Sequence, residues 1–416
     1  MGTLIKYELK KLYKSRLNKI VFWGTCLVMF ATMLLSVVQT YTYDKEGNKI
    51  SGLEWVDYKK ETIKELEGPL TDERVEELIR EYQDMFGNPD NVEDVYGDGN
   101  LYFKDEVNYR YYYPKKDLLL LIGRNYDDIE GVSYGRNLVD LSLEERQDFY
   151  KARIELFHNV LTAGRRDWKY SSAEQKFWEK KAEELTPPVY YGYAEGWKRV
   201  IDCIGYFLFP LMGLCILLAR IYAGEYENGA EHIVLTTKYG KTKVIAAKNL
   251  AALLFGGLYS FINAGIPYVV ILSAFGAEGG KLSIQNYDMQ VPYSLTLVQG
   301  ALLYSGVCLV MAFGIMAFVL FLSARMKSAL PVLATSMVMI ISGFFLSYSD
   351  TNGGYNHIIA LLPWPALMTS PLQDITSYPF GNFILDYPSM LYVVYLIFGI
   401  LLVLFAGRAF RKREVE

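Results

Sequence analysis

Strongly apolar residues are gathered into six separate blocks along the chain, with polar stretches of very different length between them. The blocks cover residues 20–38, 200–220, 249–275, 295–324, 328–347 and 389–407. Each is close to the length of about 20 residues that an α-helix needs to cross the hydrocarbon core of a bilayer. The pattern predicts a mainly α, six-helix polytopic membrane bundle with these blocks as its spans.

Basic residues are concentrated at the ends of the blocks that would face one side of the membrane. They precede the first span, follow the last, and occur after the second and fourth: Lys6, Lys10, Lys11, Lys14, Arg16, Lys19, Lys238, Lys241, Lys243, Lys248, Arg325, Lys327, Arg408, Arg411, Lys412 and Arg413. The 276–294 loop has Lys281 alone, and residues 347–390 contain no lysine or arginine. Because short cytoplasmic loops are enriched in these residues, both termini are expected in the cytoplasm of a multi-pass cell-membrane protein.

Residues 39–199 form the one long insertion between spans, and we expect a large, mostly helical extracellular domain there. A long translocated domain escapes the charge rule that governs short loops. Thr71 is a predicted helix N-cap, with Leu70 and Val75 as its hydrophobic staple. Ser142 and Ser171 are each followed three residues later by glutamate, which predicts two capping boxes.

The remaining segments predict smaller features. Residues 1–19 are predicted to form an amphipathic elbow helix on the cytoplasmic surface, and residues 408–416 a cytoplasmic tail. The tyrosine-rich stretch 100–116 is compatible with a strand or a loop, and two prolines at 187–188 predict an extended entry to the second span. Residues 348–388 should form an extracellular loop with a re-entrant or interfacial segment, since its apolar part is short and interrupted by proline.

Composition argues against several classes of function. The net charge of −4 is unsuited to nucleic-acid binding, and no ATP-binding glycine-rich motif is present. The three histidines are far apart in sequence and predict neither a metal site nor a catalytic group. All four cysteines lie in apolar blocks, so the predicted extracellular domain has no disulfide, which fits a bacterial surface. Lys248 and Asp202 lie at span ends, where snorkelling towards the interface would explain them.

The segment after the second span carries the most specific pattern: ARIYAGEYENGAEHIVLTTKYGKTKVIAAKNL, residues 219–250. Two glutamates precede an Asn-Gly pair and a short amphipathic run, and basic residues then lead into the third span. In this position within a six-span chain, the segment resembles the ABC-2 type permeases of ATP-binding-cassette exporters. In those permeases the stretch corresponding to GEYENG opens a coupling helix that docks on the nucleotide-binding subunit.

The resemblance implies a set of interface residues and partners. Residues 221–248 would be the coupling-helix segment, with a second, smaller contact after the fourth span. The residues implied at the ATPase interface are Glu225, Glu227, Asn228, Gly229, His232 and Ile233, and those at the second contact are Arg325 and Lys327. ATP and magnesium would be bound by a separate ATP-binding-cassette subunit, so this chain would itself hold no cofactor and no ATPase activity. A second permease subunit, identical or paralogous, and membrane lipid would be its other partners.

Three functions remain open from the sequence. The leading one is export, or extraction from the membrane, of a hydrophobic or amphipathic substrate such as an antimicrobial peptide, a lipid or a drug. The second is a membrane sensor or mechanotransmission protein whose extracellular domain binds a peptide or envelope partner. The third is sodium efflux, which the scarcity of ionisable residues inside the spans disfavours.

Overall fold

The computed structural model describes residues 1–97, 99–127, 138–368, 370–381 and 383–411, and these are mainly helical. The helices are α1 (Gly2–Lys14), α2 (Arg16–Val38), α3 (Gly52–Leu66), α4 (Asp72–Gly87), α5 (Asp105–Val107), α6 (Tyr113–Gly123), α7 (Leu143–Gln147), α8 (Phe149–Ala163), α9 (Ser172–Glu183), α10 (Glu195–Cys203), α11 (Leu208–Leu218), α12 (Arg220–Glu227), α13 (Ala230–Thr236), α14 (Ile245–Phe275), α15 (Leu297–Arg325), α16 (Ala329–Phe345), α17 (Gly353–Ala360), α18 (Pro363–Met368) and α19 (Tyr387–Arg411). The strands are β1 (Tyr41–Tyr43), β2 (Lys49–Ser51), β3 (Gly68–Leu70), β4 (Val92–Glu93), β5 (Tyr102–Phe103), β6 (Val189–Tyr191), β7 (Ser377–Phe380) and β8 (Phe383–Asp386). They pair antiparallel as β1–β2, β3–β6, β4–β5 and β7–β8.

Five helical runs within the described residues are long and apolar enough to cross a membrane. They are Arg16–Val38, Glu195–Glu227, Gly240–Phe275, Leu297–Arg325 and Tyr387–Arg411. The second run joins α10, a short 3₁₀ turn, α11 and α12, and the third joins a π-helical turn to α14. The chain is therefore a multi-pass helical membrane protein, as the apolar blocks predict.

The outer faces of these helices are apolar, as lipid contact requires. Trp23 and Leu27 on α2 are 62% and 67% exposed, and Phe261 on α14 is 69% exposed. Exposed aromatic and aliphatic side chains at this density would be unfavourable in water and are stable in hydrocarbon. By contrast, α15 is largely buried and packs against α19, α14, α11 and α16, so it is the central helix of the bundle.

The block at 328–347 forms α16, which has 17 residues and is shorter than the other five runs. At a rise of 1.5 Å per residue it is about 25 Å long, which is less than the full hydrocarbon thickness. The helix ends at Phe345 because the backbone becomes extended at Leu346. A sixth crossing at this position stays a prediction.

The segment 39–194 is here called the insert domain, and its described residues are mainly helical and contain three of the four small sheets found in the described part of the chain. A hydrophobic core separate from that of the bundle joins α4, α6 and the β3–β6 pair of this domain, with Leu70, Val75 and Ile79 fully buried. The predicted helix starts are confirmed: the Thr71 side chain accepts a hydrogen bond from the Arg74 N–H, and Ser142 and Ser171 both form capping boxes. The domain ends five residues earlier than predicted, because Glu195 already begins the helix of the second span.

The tyrosine-rich stretch 100–116 is mostly helical, so the expectation of a strand or loop was wrong for most of it. After the two-residue β5, the chain forms α5, a π-helical turn at Asn108–Tyr112 and the start of α6. The rings of Tyr109 and Tyr113 stack on one helical face, 5.8 Å apart, and Tyr112 lies 5.9 Å from Phe103. Packing among these rings outweighs the strand propensity of tyrosine.

The buried side chain of Arg153 joins the insert domain to a loop of the bundle. Arg153 of α8 donates hydrogen bonds to the backbone carbonyls of Met289 and Val291, each at 2.8 Å, and also to Ala182. The carbonyls of Met289 and Val291 lie in the loop between α14 and α15, and that of Ala182 lies in α9. Burial lowers the pKa of Arg153 to about 10, which still leaves the guanidinium charged at neutral pH.

The 348–388 segment folds onto the insert domain as α17, α18 and the β7–β8 hairpin. Asp374 is buried and accepts hydrogen bonds from Arg165 at 3.0 Å and Arg166 at 3.2 Å. Burial alone would raise the pKa of Asp374, but the two guanidinium groups outweigh it and lower the pKa to about 2. The predicted re-entrant or interfacial segment is thus two short helices, and its depth in a membrane stays untested.

Both ends of the chain depart from the predicted bounds. The predicted elbow 1–19 is divided, because Ser15 adopts an extended backbone between α1 and α2 and its side chain caps α2. Leu12 is buried, whereas Leu17 belongs to α2 and is exposed. Of the predicted tail 408–416, residues 408–411 complete α19 and residues 412–416, with Lys412 and Arg413, lie outside the described residues.

Candidate functional site

One end of the bundle brings together most of the candidate residues, and we call it the polar end. It comprises α1, α12, α13, residues 237–248 and the turn 325–328. The end of α19 also lies here, since the Arg411 side chain donates a 3.0 Å hydrogen bond to the Lys241 carbonyl. The N-terminal helix and the described C-terminus are therefore on the same end of the bundle.

A cluster of four charged side chains, the basal cluster, lies inside the polar end: Glu8, Lys11, Glu225 and Lys248. Glu225 Oε1 accepts hydrogen bonds from Lys248 Nζ at 2.6 Å and from Lys11 Nζ at 2.5 Å. Lys248 Nζ also lies 3.3 Å from Glu8 Oε2. Lys248 is only 1% exposed, and Glu225 is buried as well. Two carboxylates and two ammonium groups compensate one another, so the buried charges have partners.

Helical spacing brings these groups together from three elements. Glu8 and Lys11 are three residues apart on α1 and so lie on one face of that helix. Lys248 lies in the first turn of α14, and Glu225 lies near the end of α12. Burial alone would lower the pKa of Lys11, but the hydrogen bond and charge of Glu225 outweigh it and raise the pKa. The cluster connects the N-terminal helix to the second and third spans.

A second polar contact holds α12 against the central helix. The helical run of the second span is interrupted at Ala219, between α11 and α12. Ser323 Oγ of α15 accepts hydrogen bonds from the N–H groups of Tyr222 and Ala223 at 3.0 and 2.9 Å. The same hydroxyl donates to the Ala219 carbonyl at 2.7 Å. The Tyr222 hydroxyl donates to Asn249 Oδ1 on α14 at 2.6 Å. The interrupted backbone groups are satisfied by another span, so α12 is held in one position.

The turn after α12 is stabilised by its own side chains and by the next contact segment. Glu227 Oε1 accepts the N–H of Ala329 at 2.8 Å and so caps α16 from a different part of the chain. Asn228 donates to the Gly224 carbonyl at 2.8 Å. Gly229 has a φ of +64°, a left-handed conformation that disfavours residues with a Cβ atom.

The seven-residue helix α13 is anchored on one side and open on the other. Leu235 is buried, whereas Ile233 is 71% exposed. His232 is also exposed and lies 3.2 Å from Glu231. A Cβ atom at Gly240 would collide with the Val234 carbonyl oxygen, so the chain following α13 passes directly over that helix. This helix presents one large apolar side chain outside the spans.

The residues implied by the resemblance therefore separate into two groups. The exposed group comprises Glu227, Asn228, Gly229, His232 and Ile233, together with Arg325 at the end of α15 and Lys327 in the turn that follows it. Glu225 is instead buried in the basal cluster. The contact between Glu227 and Ala329 brings the two predicted contact segments together at one end of the molecule.

Sequence reasoning missed the partners of Glu225. Lys248 does not snorkel, because it is almost fully buried and paired with two carboxylates. A lysine immediately before a long apolar block was the available signal, but nothing in the sequence showed which carboxylate it meets. Ser323 carried no signal at all.

The remaining chemistry of the described residues is limited. No group of three or more histidine, cysteine or acidic side chains in the described ranges could hold a metal ion. Comparison with protein-family models, with curated proteins and with solved structures found nothing that matches this chain. The polar end presents the exposed short helix α13 next to α12, and buried polar contacts join α12 to α14 and α15.

Proposed function

We propose that this chain is the membrane-spanning permease subunit of an ATP-binding-cassette exporter of the ABC-2 type. A separate ATP-binding subunit binds ATP and magnesium and docks on the polar end. Two permease chains, identical or paralogous, assemble with two such subunits. The complex exports, or extracts from the membrane, a hydrophobic or amphipathic molecule such as an antimicrobial peptide, a lipid or a drug.

The observation that carries this proposal is α13 with its exposed Ile233. An isoleucine that is 71% exposed outside the spans suits an anchor that fits into a pocket of a partner protein. Because α13 adjoins α12, the end of the second run, a force applied to α13 would reach the fourth run through Ser323 and the third run through Lys248. Such a connection suits a subunit whose conformation is changed by its partner.

The proposed topology has six crossings, both termini in the cytoplasm and the insert domain outside the cell. An even number of crossings is supported by the position of α1 and of the end of α19 at the same end of the bundle. Ala329 starts α16 at that end, and Tyr387 starts the last run at the other. The concentration of basic residues at the polar end supports its cytoplasmic placement.

The docking proposal is tested by changing Ile233 to aspartate and co-purifying the full chain with ATP-binding-cassette subunits of the same organism, each co-expressed with it in turn. We expect I233D to lose the subunit and the ATPase stimulation that the wild-type chain produces. Leu143, an exposed apolar residue of the insert domain, is the matched control, and L143D should retain both. If I233D is folded and keeps full ATPase coupling, α13 is not the docking helix.

The topology is tested with a membrane-impermeant maleimide on intact cells that produce single-cysteine variants. A cysteine at Leu143 should be labelled, whereas a cysteine at Ile233 should react only after the cells are permeabilised. The four native cysteines are buried or half-buried, which keeps the background low. Labelling of both sites in intact cells would contradict the proposed orientation.

A sensor or force-transmitting protein is the second candidate, and the attachment of the insert domain favours it. Arg153 and Asp374 join that domain rigidly to the loops between spans, so ligand binding there could reach the bundle. Transport into inside-out vesicles distinguishes the two functions. A transporter should accumulate an amphipathic peptide or lipid when ATP and the ATP-binding subunit are supplied, and a sensor should not.

A further inference from the structure

A cavity of about 630 Å³ lies where the insert domain meets the first turns of α10. Its walls come from α3 and α6 of the insert domain, from α10, from the loop between α14 and α15, and from Gln373. The volume is within the usual range for small-molecule sites. Because α10 opens the second membrane span, the cavity lies at the membrane boundary on the side of the insert domain.

Most charged groups that line the cavity are already paired with one another. The pairs are Asp117 with Lys59 at 2.7 Å, Glu195 with Lys198 at 3.2 Å, and Asp288 with Arg124 at 3.3 Å and with Gln373 at 2.7 Å. These groups form the walls of the cavity, and most of their hydrogen-bonding capacity is used within the protein.

Arg199 and Asp202 are different, because their hydrogen-bonding capacity is largely unused in the described part of the chain. The guanidinium carbon of Arg199 lies 4.9 Å from the ring centroid of Trp55 and 4.4 Å from that of Phe275, and its Nε is buried without a hydrogen-bond partner. The nearest carboxylate to that Nε is Glu195, at 4.0 Å. Asp202 accepts a hydrogen bond from the Tyr287 hydroxyl at 2.8 Å through one oxygen only. Arg199 and Asp202 thus place a cation and an anion on the cavity wall, and each has hydrogen-bonding groups that could contact a ligand.

An exposed apolar strip continues from this pair along the span. Between residues 200 and 210, the exposed positions are Asp202, Tyr206 and Phe209, and the others are buried or half-buried. Tyr206 and Phe209 are 41% and 42% exposed and lie deeper in the span than Asp202. A charged cavity thus opens onto an aromatic strip that runs into the hydrocarbon.

We propose that the cavity binds the headgroup of an aminophospholipid, with its phosphate on Arg199, its ammonium on Asp202, and an acyl chain along Tyr206 and Phe209. The planar guanidinium of Arg199, which packs against two aromatic rings, can donate two hydrogen bonds to a phosphate. A carboxylate at the depth of the headgroups accepts the primary ammonium, which an anionic lipid without an amine lacks. The inference requires only that Glu195–Glu227 spans a membrane, and it does not depend on an ATP-binding partner.

The test uses the full chain in detergent and short-chain lipids, with binding measured by native mass spectrometry. We expect dihexanoyl phosphatidylethanolamine to bind more tightly than dihexanoyl phosphatidylglycerol. R199Q should weaken both lipids by about tenfold, the equivalent of one charge-assisted interaction. D202N should abolish the preference between the two lipids, and F209S should weaken both. K281Q and E54Q, which change exposed charges that do not line the cavity, should behave as wild type.

Several results would overturn the proposal. Equal affinity of the wild-type chain for the two lipids would remove the role of Asp202, and wild-type affinity in a folded R199Q would remove the role of Arg199. If free O-phosphoethanolamine bound as tightly as the lipid, the site would take a soluble zwitterion instead. Should R199Q fail to fold, R199K keeps the charge without the two-donor geometry and is expected to bind phosphatidylethanolamine less tightly than wild type. Unchanged binding by R199K would then refute the phosphate contact.

Discussion

Removal of both deeply buried charges of the basal cluster, Glu225 and Lys248, should cost less unfolding free energy than the sum of the two single removals. In E225Q, Lys248 would keep only Glu8, at 3.3 Å, while remaining almost fully buried. An ammonium left in this state typically costs about 3–5 kcal/mol of unfolding free energy. K248M should cost less, because Glu225 keeps its 2.5 Å contact with the half-exposed Lys11. The double variant E225Q/K248M removes both deeply buried charges, so its cost should fall below the sum of the single costs by about 1–3 kcal/mol.

The assay is a double-mutant cycle on the purified chain in detergent, with unfolding followed by circular dichroism in increasing denaturant. Arg220 and Glu227 provide the control pair, because they lie 3.7 Å apart and Arg220 is largely exposed. R220Q should change the unfolding free energy by less than about 0.5 kcal/mol. If the two basal substitutions are additive within about 0.5 kcal/mol, the pair contributes no coupling and the argument from burial is refuted.

Three further predictions concern other contacts. D374N should lower stability by about 2 kcal/mol at neutral pH, from the difference between the ordinary pKa of 3.8 and the folded pKa of about 2. That contribution is complete above about pH 4 and is lost as the pH falls through about 2, so the melting temperatures of D374N and the wild type should converge there. D350N, a change at an exposed position, should leave the melting temperature at neutral pH unchanged. R153K should increase hydrogen exchange in the 282–296 loop, because one ammonium cannot satisfy three carbonyls as the guanidinium does; unchanged exchange would contradict this. G240A should lower thermal stability and ATPase coupling because its Cβ meets the carbonyl oxygen of α13, whereas G257A, in open space on α14, should be neutral or stabilising by up to about 1 kcal/mol.

The positions of the spans and of the helix starts were readable from the sequence because their causes are local. A run of apolar residues decides by itself whether a helix can exist in hydrocarbon, so five of the six apolar blocks appear as long apolar helices. A capping box involves two residues three positions apart, and Ser142 and Ser171 formed theirs as predicted. The same locality made the extended segment after the two prolines predictable, and it forms β6.

Features that depend on distant parts of the chain were decided only by tertiary structure. The helical form of the tyrosine-rich stretch depends on rings that pack against Phe103 and against one another. Glu225 and Lys11 are 214 positions apart, and Lys248 and Glu8 are 240 apart, so no local pattern could assign these partners. Whether a charge at a span end snorkels or becomes buried depends on which opposite charges the fold brings within about 3 Å, because only pairing offsets the loss of hydration. For the same reason, the sequence indicated an exposed docking segment at 225–233, and only the fold separated buried Glu225 from exposed Ile233.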